Sequence, residues 1–159
     1  MEDYNKAIEL NPKYAEAYNN RGAVYIYSNE FDKAIKDYNK AIELDPKFAS
    51  GYQNLAEMYI LRNKHNDSLA VAQKSLEISK EIIDRVKSKF FIALSLILQG
   101  KGENEEKEFI EYCNLNKGYY LTFEFDALEI GLKDSKYSGK ISKLIKLIKD
   151  NAKNTQSQF

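Results

Sequence analysis

An all-α fold built from stacked antiparallel helical hairpins is predicted by three features of the sequence. The octapeptide DYNKAIEL occupies residues 3–10 and again residues 37–44, an offset of 34. The only two prolines, Pro12 and Pro46, each stand two residues after a copy of it, also 34 apart. Between them lie two stretches with apolar residues at helical spacing, 15–27 and 31–44, separated by Ser28, Asn29 and Glu30. Proline removes a backbone donor and clashes with the preceding turn, so each marks a helix end at the same place in a repeated unit.

In the first stretch Ala15, Tyr18, Gly22 and Tyr25 recur on one face; in the second Ala34, Ile35, Tyr38, Ala41 and Ile42 do the same. Gly22 and Ala34 let two helix backbones approach, and Tyr18, Tyr25 and Tyr38 fill the neighbouring space. The order Tyr18, Gly22, Tyr25, Ala34, Tyr38, Ala41, Pro46 resembles the tetratricopeptide (TPR) pattern of aromatic, small, aromatic, Ala, aromatic, Ala, Pro over 34 residues. Arg21 departs from it, standing where the pattern usually has Leu. The resemblance implies an α-solenoid, a right-handed superhelix of such hairpins.

The expected organisation follows the repeat. Residues 1–12 supply the second helix of a unit, because Tyr4, Ala7 and Pro12 align with Tyr38, Ala41 and Pro46. A chain starting inside a repeat is expected to be a fragment of a longer array or to self-associate through that open edge. One full unit spans 15–48 and a second 49–82, where Tyr52, Leu55, Ala56 and Tyr59 keep the pattern but Ser68, Ala72 and Ser75 replace Ala34, Tyr38 and Ala41, and Lys80 replaces the proline. Residues 83–117 read as a degenerate hairpin, with Ala93 at the small position, Gln99-Gly100 at the turn and Phe109 at the bulky position. Its alignment needs a shift of about three residues, predicting a longer helix or altered turn near 80–85. Residues 118–152 read as a helical pair or cap, with helices at 119–132 and 140–152, and 153–159 as a frayed tail.

Composition narrows the function. The chain of 159 residues is 43% hydrophobic and 30% charged, as in globular domains, and its 24 Lys and Arg balance 24 Asp and Glu. No global field draws nucleic acid or an anionic membrane. The longest apolar run, residues 90–98, is far short of the roughly 20 residues that span a bilayer. The N-terminal sequence is not a secretory signal, and the single cysteine, Cys113, excludes an internal disulfide. Both point to the cytoplasm.

No residue set supports catalysis, a cofactor or a metal site. His65 falls at an inter-helix turn with no second histidine or cysteine pair to complete a zinc ligand set. Cys113 follows Phe109 and Tyr112 on a helix and reads as a small buried hydrophobe. Gln99-Gly100-Lys101-Gly102 lacks the preceding strand and the GxxxxGK[ST] sequence of a phosphate loop. Glu103, Glu105, Glu106, Glu108 and Glu111 open a helix, where the dipole favours them, and lack the spacing of a calcium loop. Residues 140–153 form a basic amphipathic helix, with Ile141, Leu144, Ile145 and Ile148 on one face and Lys140, Lys143, Lys146 and Lys149 every third residue. It reads as a solenoid cap before it reads as a membrane-surface helix.

The resemblance implies a non-enzymatic scaffold or adaptor that binds a peptide or protein segment on a concave face lined by first helices. The implied groove positions are Glu16, Asn19, Asn20, Ala23 and Tyr27 in the first full unit, then Ser50, Gln53, Asn54, Glu57 and Leu61. Lys87, Phe91 and Leu94 follow in the shifted one. Asn19, Asn20, Tyr27, Gln53, Asn54, Glu57 and Lys87 are the expected contacts, because an amide ladder can hold an extended backbone whatever its side chains. The two-carboxylate clamp of chaperone-tail binders is mostly absent: its positions hold Asn19, Ala23, Asn54, Lys87 and Phe91, of which Asn54 and Lys87 fit. Two other readings remain open, a substrate-selecting or regulatory arm of a larger enzyme and a membrane-associated assembly factor using the basic helix.

Overall fold

The structure, a computed structural model, describes residues 1–115 and 126–156. Among these the regular structure is helical: α1 (Glu2–Leu10), α2 (Ala15–Tyr27), α3 (Phe31–Leu44), α4 (Ala49–Leu61), α5 (His65–Ile78), α6 (Ile82–Leu98), α7 (Glu103–Leu115), α8 (Asp126–Leu132) and α9 (Ser138–Gln156). From α1 to α7 each helix packs on the next in chain order, a helical-repeat solenoid. The first part of the helix expected at 119–132 lies outside the described residues.

Local chemistry sets the helix ends. After α1 and α3, Asn11 and Asp45 donate their amides back to the Ala7 and Ala41 carbonyls at 2.8 and 2.9 Å. Their side-chain Oδ1 atoms accept the amides of Lys13 and Lys47 at 3.1 and 2.9 Å, closing turns that hold Pro12 and Pro46. Inside the hairpins the turn residue is left-handed: Asn29 and Asn63 at φ 57° and Gly100 at φ 78°. The amide that follows each reaches back to the helix, from Glu30 to Tyr25, Lys64 to Tyr59 and Lys101 to Leu96, all at 2.8 Å. Asn and Gly are the residues that tolerate this conformation at a helix C-terminus.

These three turns locate the break in the repeat. Asn29 and Asn63 are 34 residues apart, whereas Asn63 and Gly100 are 37 apart. The extra length sits in α6, which has 17 residues against 13 in α2 and α4. The junction expected near 80–85 is thus a helix lengthened at its start, after Ser79 and Glu81 run extended.

Packing follows residue size. Ala34, Tyr38 and Ala41 of α3 are wholly buried, and the Tyr38 ring lies where Gly22 has no side chain: a Cβ there would meet Tyr38 Cε1 at 2.7 Å. Farther along, α5 packs on α6 as extensively as on its hairpin partner α4. Four wholly buried serines line this contact, with Ser88 Oγ 2.8 Å from Ser75 Oγ and Ser95 Oγ 2.9 Å from Ser68 Oγ. Ser68 and Ser75 reach on to the Ala56 and Ala49 carbonyls of α4 at 2.9 and 3.2 Å. Small hydroxyls let three helices crowd together with their polar atoms paired.

The C-terminal helices do not extend the array as another regular hairpin. α8 packs against α4, two first helices back, with Leu128 and Leu132 inside the core and Gly131 so close to Leu61 that a Cβ would meet its Cδ2 at 2.5 Å. α9 packs on α7 and buries Ile141, Leu144, Ile145 and Ile148. Lys140 and Lys143 lie 3.3 and 3.5 Å from Glu106, and Lys149 is 3.1 Å from Glu129. The apolar face that a membrane would need is therefore turned inward. Among the described residues no helix is long and apolar enough to cross a membrane.

Candidate partner-binding groove

The first helices α2, α4 and α6 are neighbours, each touching the next. Across the α2–α4 seam, Asn54 Nδ2 donates to Asn19 Oδ1 at 2.8 Å, and Asn19 Nδ2 donates to Asn20 Oδ1 at 3.4 Å. Asn19 is the buried middle member, Asn54 is half-buried and Asn20 is exposed. The 34-residue repeat of Asn20 and Asn54 thus brings three amides into one directional chain. Its ends are a carbonyl acceptor on Asn54 and an amide donor on Asn20, the complement of a peptide unit.

Around this chain, Glu16 is exposed, Ala23, Ser50, Glu57 and Leu61 are half-buried, and Tyr27 is 75% exposed. Tyr38, packed against Gly22 of α2, has its Oη buried without a hydrogen-bond partner. Burial first, then the nearby Glu57 and Asp37 carboxylates, raise its phenol pKa well above the ordinary tyrosine value, so it stays protonated. Lys87 is half-buried on α6, and burial pulls its ammonium pKa down against the opposing pull of Asp84.

Three expected positions turn inward. Gln53 is 2% exposed, and its Nε2 donates to the Asp84 carbonyl at 3.1 Å, because the lengthened start of α6 lies beside it. Its Nε2 is engaged in the α4–α6 packing. Phe91 and Leu94 are in the core that also holds Leu128 and Leu132 of α8. The accessible surface is therefore concentrated on α2 and α4, with α8 packed at the Leu61 end of α4.

Sequence reasoning missed the use of Arg21, seen there only as a departure from the repeat pattern. Its Nε and Nη2 donate to the two carboxylate oxygens of Asp37 at 2.7 and 2.8 Å, and Nη1 donates to Asn5 Oδ1 at 2.9 Å. Tyr18 and Tyr25 flank the guanidinium, with ring centres 5.5 and 5.9 Å away. The available signal was the Asp that opens each octapeptide, a carboxylate on a face that otherwise packs.

Outside the groove, His65 opens α5, its Nδ1 is buried without a partner, and burial lowers its pKa. Among the described residues no group of three or more His, Cys, Asp or Glu side chains is placed to hold a metal. Cys113 is 4% exposed, and burial pushes its thiol up to about 11. Thiolate is the reactive form, so iodoacetamide at pH 8 should leave Cys113 of the native protein unmodified over a time that fully labels it in denaturant. Equal labelling rates in the two states would contradict its burial.

Stacked antiparallel hairpins with a polar seam along their first helices define a helical-repeat interaction module. The chain contains tetratricopeptide repeats over residues 1–70: the models described as "Tetratricopeptide repeat" match residues 15–48 and 37–70, and that described as "TPR repeat" matches residues 1–26. Solved structures agree in fold. MamA aligns over 98% of this chain and 88% of its own at 14% identity and a TM-score of 0.62. YrrB, described as a TPR protein with an unusual peptide-binding site, aligns over 98% and 82% at 20% identity and a TM-score of 0.58. The TPR2B domain of yeast Sti1, solved as a complex with pHsp70, aligns over 88% and 97% at 18% identity and a TM-score of 0.53. No curated protein sequence matches the chain.

Proposed function

We propose that the protein is a non-enzymatic interaction adaptor that holds an extended peptide or protein segment along α2 and α4. The Asn54–Asn19–Asn20 amide chain carries this reading. An extended backbone laid across the seam gives a carbonyl to Asn20 Nδ2 and an N–H to Asn54 Oδ1, while Glu57 and Lys87 select among side chains by charge. Tyr27 offers a large exposed aromatic contact. YrrB, described as having a peptide-binding site, and the Sti1 domain, solved as a complex with pHsp70, support this class of ligand.

An acidic chaperone tail is not the favoured ligand. Of the clamp positions Asn19, Ala23, Asn54, Lys87 and Phe91, one carries a charge, and Phe91 is buried. A carboxylate pair would lose its hydration for too little compensation.

The test is an affinity pull-down with mass spectrometry to obtain a partner segment, followed by titration of an Asn20→Ala, Asn54→Ala variant. Two ligand hydrogen bonds are removed, so binding should weaken by about tenfold or more. Folding stability should fall by about 1–2 kcal/mol, since the free protein gives up the Asn54–Asn19 hydrogen bond at 2.8 Å and the longer Asn19–Asn20 one at 3.4 Å. Unchanged affinity in a folded variant would remove the site.

A further inference from the structure

We infer that α8 is a detachable strap. Closed, as the structure shows it, it confines the candidate groove to α2 and α4; open, it uncovers an apolar, helix-accepting surface on α4 and α6.

The third rung of the candidate groove differs in chemistry from the first two. Offsets of 34 and then 37 residues separate Asn29, Asn63 and Gly100, and the same offsets lead from Asn20 through Asn54 to Phe91 and from Ala23 through Glu57 to Leu94. Phe91 and Leu94 are 1% and 0% exposed and share a core cluster with Leu128 and Leu132 of α8. At the far end of the helices Tyr27 of α2 is open to solvent, whereas its counterpart Leu61 of α4 is half-buried and meets Gly131 of α8. An apolar rung needs a cover to stay out of water, and the chain supplies its own. That cover is a helix with two leucines four residues apart on one face and a glycine where Leu61 approaches, the anchor spacing of a helix laid in a groove.

What holds α8 is slight beside what holds its neighbours. It has seven residues, under two turns, and a helix so short does not persist without a surface to lie on. Between α8 and α9 runs an open cleft of about 460 Å³, lined by Leu128 and Leu132 on one side and Ile141 and Ile145 on the other. The Glu129–Lys149 ion pair that links the two helices is solvent-exposed and adds little. Ile130, on the outer side of α8, is 70% exposed. α9 is fastened separately, by its packing on α7 and by Lys140 and Lys143 on Glu106, so it stays in place when α8 lifts away. Elements with few buried anchors are the ones that open locally while the rest of a fold holds.

The experiment uses the full chain with Cys113→Ser, Leu61→Cys and Gly131→Cys. Leu61→Cys removes the methyl that a Cβ at position 131 would meet, and Leu61 Cγ, where the new sulfur would stand, is 3.9 Å from that Cβ. In the reduced form, amide hydrogen exchange of α8 should run about a hundredfold faster than that of α6, through openings insensitive to low denaturant, and oxidation should slow it to the rate of α6. A second readout is the anisotropy of a fluorescein-labelled peptide of residues 126–134, held helical by a hydrocarbon staple on its outer face. It should bind saturably to a Leu128→Asp, Leu132→Asp chain, whose own α8 is released, at least about tenfold more weakly to the parent, and not at all to the oxidised form. α8 amides that exchange in the reduced form only by global unfolding, with the denaturant dependence of α6, overturn the inference. So does a folded Leu128→Asp, Leu132→Asp chain that does not take the peptide; if that variant fails to fold, exchange decides alone. Neither readout involves Asn20 or Asn54, so failure here leaves the amide chain standing, and failure of the amide chain leaves the strap.

Discussion

Replacing Arg21 by Leu, the residue the repeat pattern usually has there, is expected to destabilise the protein by about 3 kcal/mol. The Arg21 and Asp37 side chains are only 18% and 6% exposed, and their bidentate contact satisfies both carboxylate oxygens. Leu would leave Asp37 buried and unpaired, the costly way to break an ion pair, and partial access of water at Arg21 keeps the loss near the lower end. The double variant Arg21→Leu, Asp37→Leu should recover to within about 1 kcal/mol, because an apolar pair of similar volume replaces both charges. Urea denaturation measures each value. Amide exchange should show α1 loosening in the single variant, since the Arg21–Asn5 bond goes too. A single variant as stable as the parent would mean that the pair contributes nothing.

The second large effect is at Gly22, where substitution by Ala should cost about 2 kcal/mol although Ala is the better helix former by about 1 kcal/mol. The added Cβ would lie 2.7 Å from the ring of Tyr38, which is wholly buried and has nowhere to move. A gain in stability would instead mean that α2 and α3 can separate without loss. Tyr38→Phe is expected to be neutral or stabilising, because it removes a buried hydroxyl that has no partner. It also carries a pH signature. The folded phenol pKa is raised, so the contribution of the protonated form is complete below the unfolded value, about 10, and is lost as pH climbs beyond it. Stability of the parent should therefore fall more steeply above pH 10 than that of the Phe variant.

Much of the fold was legible because repetition is a one-dimensional signal. The twin octapeptides, the twin prolines and the small residues Gly22 and Ala34 each encode a contact with a near neighbour in the chain. Even the irregular junction showed itself as a three-residue shift, which α6 takes up as added helical length. The positions of the candidate groove were legible only in part. Asn19, Asn20 and Asn54 come together because they sit on adjacent helices at the repeat spacing. Gln53 does not join them, since the longer start of α6 puts Asp84 within reach of its amide.

By itself, then, the sequence determined the helices, their hairpin pairing and the repeat to which they belong, since all three depend on spacing along the chain and on residue size. Tertiary structure alone decided where α8 goes, which positions of the candidate groove stay accessible and what Arg21 does. Each of these depends on which atoms meet across helices far apart in the chain. Leu128 and Leu132 join the same core cluster as Phe91 and Leu94, and no period in the sequence predicts that α8 folds back against α4.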